Sequence, residues 1–127
     1  MHHFINTIIL VRDIPVSRDF YTRVMGLTVE REYDTVVFFR DHFVIHNAES
    51  LLSNAYASPQ KPEAPLGRAN LEIYFETDDL AASVARVRAS GTKIVHDIVE
   101  QPWGQKVFRF LDPDGHLVEI GERMSQP

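Results

Sequence analysis

Residues 5–26 read INTIILVRDIPVSRDFYTRVMG, and residues 71–91 read LEIYFETDDLAASVARVRASG. In the first stretch, Ile5 to Val11 is an apolar, β-branched run that ends at Arg12-Asp13, the pattern of a largely buried strand leading into a helix start. Asp13 is placed to cap that helix, and Pro15 falls in the first turn, where a missing N–H costs little. Val16, Phe20 and Val24 recur at helical spacing before Gly26 ends the run. In the second stretch, Leu71 to Glu76 reads as a strand and Asp78-Asp79 as a cap region. Leu80, Val84 and Val87 form one helical face, and Gly91 is the stop. Asp13 and Asp79, Ile14 and Leu80, and Ser17 and Ser83 each stand 66 positions apart. Capping Asp and terminating Gly recur in unrelated helices, so no single pair is informative. The shared order of all of them predicts an internal duplication.

The remaining segments fit the same unit. Leu27 to Glu32, Thr35 to Arg40 and His42 to Asn47 are β-prone and follow the first helix. Lys93 to Val99, Lys106 to Leu111 and Leu117 to Gly121 follow the second, the last two joined by the turn sequence Asp112-Pro113-Asp114-Gly115. Between the halves, Glu49 to Asn70 carries Pro59, Pro62, Pro65 and Gly67 and resists regular structure outside Leu51 to Tyr56. The expectation is an α+β fold in one domain spanning 1–127: two tandem βαβββ modules, 1–48 and 71–123, joined by a linker over 49–70. Modules related by a pseudo-twofold axis would face equivalent positions across a shared cavity.

Composition narrows the function. The chain has 127 residues, 44% hydrophobic and 24% charged, as expected of an ordinary globular domain. Its formal charge of -5 argues against a nucleic-acid or anionic-membrane surface. With no Cys, disulfides, thiolate metal sites and thiol nucleophiles are excluded. The apolar runs are too short to span a bilayer, and Met1-His2-His3-Phe4 lacks the regions of a signal peptide, so a cytoplasmic protein is expected. Gly26, Gly91 and Gly104 make no phosphate-binding fingerprint.

The duplication selects candidate site residues. Asn6 and Glu72 stand 66 apart on the first strand of each module. His46 and Glu119 lie on the last strands, in Val44-Ile45-His46 and Leu117-Val118-Glu119, where alternation sets them opposite their apolar neighbours. His96, Trp103 and Arg109 are candidates for the cavity or its rim: Trp103 by stacking on a ligand, Arg109 by pairing with an acidic group. Taken singly, each of these is an ordinary strand or surface residue. Two inward carboxylates, however, repel and call for a bound cation or a basic ligand.

Val11-Arg12-Asp13, Ser17-Arg18-Asp19-Phe20-Tyr21, Met25-Gly26-Leu27, Thr77-Asp78-Asp79-Leu80 and Leu111-Asp112-Pro113-Asp114-Gly115-His116-Leu117-Val118-Glu119 together resemble the vicinal oxygen chelate superfamily of glyoxalases, bleomycin-resistance proteins and extradiol dioxygenases. The resemblance covers nearly the whole chain. It implies curved mixed sheets around a shared cavity, a homodimer, a small-molecule ligand, and often one divalent metal held by residues from four strands. Those positions look like Asn6, His46, Glu72 and Glu119, of which only the last keeps the residue type usual in glyoxalase I.

Two functions follow as expectations. In one, His46, Glu72 and Glu119 hold a divalent ion (Zn, Mn, Ni or Mg) that polarises vicinal substrate oxygens. Glu72 or Glu119 acts as catalytic base in lyase or isomerase chemistry, and Asn6, His96, Trp103 and Arg109 bind substrate. In the other, the protein is a metal-free module that sequesters an apolar or cationic compound, as bleomycin-resistance proteins do.

Overall fold

The computed structural model describes residues 1–124. The chain divides into two compact units, one spanning Met1–Leu66 and the other beginning at Gly67. The first holds β1 (Thr7–Val11), α1 (Ile14–Asp19), β2 (Val29–Glu32), β3 (Val36–Phe39), β4 (Phe43–Asn47) and α2 (Ala48–Ala55). The second holds β5 (Glu72–Thr77), α3 (Leu80–Ala89), β6 (Ile94–Glu100), β7 (Lys106–Leu111) and β8 (Leu117–Glu122). Each unit forms one four-stranded mixed sheet, ordered β1-β4-β3-β2 and β5-β8-β7-β6. In both, the first strand runs parallel to the last and the other pairings are antiparallel. The predicted α+β fold and its two βαβββ modules are therefore present. No described helix is long and apolar enough to cross a membrane.

The helix starts repeat in atomic detail. Asp13 is extended at φ -139° and its Oδ1 accepts the Val16 N–H at 3.1 Å; Asp79 is extended at φ -138° and its Oδ1 accepts the Ala82 N–H at 3.0 Å. Each carboxylate satisfies one of the N–H groups that a helix leaves unpaired at its start. Ser17 and Ser83, one turn on, are both buried against their sheets. Gly26 and Gly91, past the helical runs, take positive φ values of 75° and 77°, which L side chains adopt only at a cost.

The first helix departs from the expected face. After α1 the chain continues through a π-helical segment, Phe20–Val24, in which the Met25 N–H reaches back to the Phe20 carbonyl at 3.1 Å. The wider turn aims two consecutive side chains inward, so the buried set is Ile14, Ser17, Phe20 and Tyr21, and Val16 is 51% exposed. Tyr21 packs edge-on against Phe20 and Phe43, with ring centroids 5.2 and 5.0 Å apart. In the inter-module segment, the regular structure left open around Leu51 to Tyr56 is a helix that begins earlier, Ala48–Ala55, started by Asn47, whose Oδ1 accepts the Ser50 N–H at 2.9 Å.

In the second unit, Leu80, Val84 and Val87 of α3 are buried, with Phe108 and Phe110 of β7 and Val118 and Ile120 of β8. The Asp112–Gly115 turn is tied internally, Asp112 Oδ1 accepting the backbone N–H groups of Asp114 and His116, both at 2.9 Å. Asp112 and Asp114 are turn residues, as their sequence suggests. Gly67 lies directly on the backbone of Gly115 and donates its N–H to the Asp114 carbonyl at 3.0 Å.

Candidate functional site

Strand alternation gives the second sheet two chemically different faces. Phe108, Phe110, Val118 and Ile120 lie on the face that packs beneath α3, where Arg88 sets its guanidinium over the Phe108 ring at 5.4 Å. The opposite face carries Tyr74 of β5, which pairs with Glu119 of β8; Glu119 pairs with Arg109 of β7, and Arg109 with His96 of β6. One row of polar side chains thus crosses all four strands, with Glu72 one step along on β5.

Arg109 holds this row together. Its Nε donates to Glu119 Oε1 at 2.7 Å and to Glu72 Oε2 at 3.2 Å, its Nη2 lies 2.6 Å from Glu119 Oε1, and its Nη1 faces His96 Nε2 at 3.1 Å. Glu119 is 5% exposed, whereas the Glu72 and Arg109 side chains are 35% and 28% exposed. Burial, and then the neighbouring Glu72 carboxylate, push the Glu119 carboxyl above its ordinary range, against the opposing pull of Arg109. Arg109 therefore pairs with the Glu72 and Glu119 carboxylates of its own sheet.

A second chain of hydrogen bonds borders the row. The Trp103 indole N–H donates to Gln105 Oε1 at 2.9 Å, and Gln105 Nε2 donates to Tyr74 Oη at 2.7 Å and to the Glu122 carbonyl at 2.9 Å. Tyr74 Oη in turn donates to Glu76 Oε2 at 2.6 Å, and burial and this bond raise the phenol above its ordinary range. Gln105 is buried and fits because Gly121 has no side chain: a Cβ there would stand 2.4 Å from Gln105 Nε2. Trp103, 62% exposed, borders a cleft of about 370 Å³ with Gly104, Gln105, Glu122, Arg123 and Met124. Tyr74 and Gln105 were not among the residues expected from sequence; the only cue to them is a lone Gly121 within a β-prone run, too weak to single them out.

In the first unit, Asn6 lies just before β1, and His46 lies on β4, paired with Leu10 and Val36. His46 is half-buried, its Nδ1 3.1 Å from the Asn47 carbonyl oxygen. Aligning the modules on their capping Asp residues matches Ile8 with Tyr74. The residue paired with Ile8 is Val44, whereas the one paired with Tyr74 is Glu119. The register counterpart of Glu119 is thus Val44, and His46 lies two residues further along its strand. Of the sequence-derived candidates, Glu72, His96, Arg109 and Glu119 meet on one sheet; Asn6 and His46 belong to the other unit.

Among the described residues, no group of three or more His, Asp and Glu side chains is set to hold a metal ion. The donor chemistry agrees: Glu72 and Glu119, the carboxylates a divalent ion would use, are both already engaged by the guanidinium between them. The Glu72–Arg109–Glu119 face, as it stands, does not fit the divalent ion implied by the resemblance.

Residues 4–125 match the family model described as a glyoxalase-like domain. The chain belongs to that family, and with it to the vicinal oxygen chelate superfamily. Its fold is shared with a crystal structure of a protein of unknown function from Agrobacterium tumefaciens, 36% identical, with a TM-score of 0.89 over 98% of this chain and 96% of that one. The Escherichia coli K12 protein YaeR, described as uncharacterized, is 27% identical over 97% of this chain and 95% of its own. A Vibrio parahaemolyticus protein named probable lactoylglutathione lyase is 28% identical over 91% of this chain and 87% of its own.

Proposed function

We propose that this chain is a small-molecule-binding protein of the glyoxalase-like family that takes its ligand on the Glu72–Arg109–Glu119 face without a divalent ion. The observation that carries the reading is the buried Glu119 carboxyl held by Arg109. Two carboxylates against one guanidinium leave the row short of positive charge, which favours a ligand bearing an amine or other hydrogen-bond donor. Tyr74 and Trp103, 46% and 62% exposed, supply aromatic surface in the same unit.

Trp103 is the sole Trp, so its emission reports on binding. Titration with an aromatic amine cation should quench or shift it saturably in the wild type and at least about tenfold more weakly in Glu72→Gln, the loss of one charged hydrogen-bond partner. Emission unchanged across a panel of aromatic cations would remove the reading.

A second reading is favoured by the raised Glu119 carboxyl and by the relative named as a lyase. In it, Glu119 moves a proton at a carbon beside a substrate carbonyl, and Arg109 steadies the negative charge that develops on the oxygen. Turnover of a 2-oxoaldehyde thiohemiacetal that is lost in Glu119→Gln and insensitive to chelator would establish it.

A further inference from the structure

Donor groups from three strands converge on one guanidinium. Glu72 of β5, Glu119 of β8 and His96 of β6 approach Arg109 to 3.2, 2.6 and 3.1 Å. The imidazole is oriented from both sides. His96 Nδ1 lies 2.7 Å from the Asp97 carbonyl oxygen, which can only accept, so Nδ1 donates and Nε2 turns its lone pair toward the Arg109 N–H. A metal-bound imidazole is oriented in the same way, its outer nitrogen tied to a backbone carbonyl and its inner lone pair on the cation. Two carboxylates and one such imidazole are the donor types that Zn²⁺ or Mn²⁺ takes, although around the guanidinium they are not set to hold an ion. Here the cation they surround is a side chain of the protein.

We propose that Arg109 is a built-in counter-cation that closes this donor set to divalent ions, and that removing its charge converts Glu72, His96 and Glu119 into a metal site. The proposal rests on the reading of this face as the ligand site. A metal ion needs its donors at about 2.0–2.2 Å, and the guanidinium spaces them at hydrogen-bond distances instead. An ion and a guanidinium drawn to the same oxygens would repel each other at close range in a half-buried setting. Arg109 thereby determines specificity: ligands are held by direct hydrogen bonds and charge, not by chelation of two of their oxygens on an ion. The set is distinct from the expected His46, Glu72 and Glu119, because its imidazole comes from β6 of the same sheet.

The test uses the whole chain with His2 and His3 changed to Ala, so that terminal imidazoles do not count. Protein stripped with chelator is titrated with Zn²⁺ or Mn²⁺ alone, and retained metal is counted by mass spectrometry after desalting. Wild type and Arg109→Lys should retain far less than one equivalent, Arg109→Met close to one. Adding Glu119→Gln to Arg109→Met should weaken binding by about 100-fold, at least the upper effect of losing an outer-shell partner. A stoichiometric ion in the wild type that Glu119→Gln removes would overturn the proposal, as would a folded Arg109→Met that binds no more than wild type. If Arg109→Met does not fold, the wild type still decides through the Arg109 Nε–H resonance. That signal should shift in Glu119→Gln and stay fixed when Zn²⁺ is added; displacement by Zn²⁺ would overturn the proposal. Trp103 titrations on the same samples report separately on ligand binding, so either reading can fail while the other stands.

Discussion

Arg109 directs two nitrogens, Nε and Nη2, to a single oxygen of Glu119, Oε1, at 2.7 and 2.6 Å. This is not the parallel fork in which a guanidinium engages both carboxylate oxygens. It leaves the second Glu119 oxygen outside that contact, with the Glu72 carboxyl close enough to raise the affinity of Glu119 for a proton.

The raised Glu119 carboxyl links stability to pH with a definite sign. The folded chain holds the Glu119 proton more tightly than the unfolded chain. Its contribution is therefore fully present below the ordinary carboxylate value of about 4.3 and is lost as pH rises through the raised folded value. Urea midpoints followed by circular dichroism from about pH 4 to pH 8 should fall across this window in the wild type. In Glu119→Gln that part of the slope should vanish, and parallel profiles would contradict the assignment.

Gly121 sets the position of Gln105, and through it of Trp103. In Gly121→Ala the new Cβ, 2.4 Å from Gln105 Nε2, drives the amide off Tyr74 and the Glu122 carbonyl. Losing buried hydrogen bonds of this kind costs about 1–3 kcal/mol. The indole N–H, deprived of Gln105 Oε1, should turn to water and shift the emission to the red. Unchanged emission together with unchanged stability would show that Gln105 can adapt.

Gly67 has no such flexible neighbour. A Cβ there meets the Gly115 carbonyl oxygen at 2.0 Å and the His116 nitrogen at 2.6 Å, both backbone atoms. Gly67→Ala should destabilise the chain by about 3 kcal/mol, the upper range for overpacking. Thermal melts should place it well below Gly26→Ala, where nothing lies within 4 Å and only the positive φ is penalised.

The paired caps give a symmetric expectation. Asp13→Ala and Asp79→Ala should each cost about 1 kcal/mol, because the geometry of the two caps is nearly identical. Chemical denaturation of the two variants and their double mutant tests this. A large imbalance would mean that one carboxylate has a further structural role.

The duplicated order of strand and helix was legible because caps, stops and alternation are local signals, and Asp13, Asp79, Gly26 and Gly91 sit where those signals put them. The buried face of the first helix was not, since a π-helical segment at Phe20–Val24 breaks the simple period that made Val16 look inward. Glu72 and Glu119 were found through the repeat, but His46 was matched to Glu119 only by its place on a last strand and by alternation, which do not fix the register. The separation of matched positions is 66 on the first strands, Ile8 to Tyr74, and 75 on the last, Val44 to Glu119. β6 and β7 have seven and six residues where β2 and β3 have four each, and such strand lengths are not fixed by local pattern. The convergence on Arg109 was hidden for a similar reason. His96 and Arg109 become neighbours only through an antiparallel register interrupted by irregularities on both sides of His96.

The parallel pairing of the first strand of each unit with its last has a kinetic consequence. In the second unit, β5 finds its partner only in β8, after α3, β6 and β7 have been laid down. The most local pairs, β6 with β7 and β7 with β8, can form first as hairpins, and β5 is then recruited by closing a long loop, a slow step in chains dominated by non-local contacts. Glu72 and Glu119 lie on opposite sides of that late closure. On this order the Glu72–Arg109–Glu119 face is completed last, and a chain caught half-made would show Arg109 already near Glu119 while Glu72 is still free in solution.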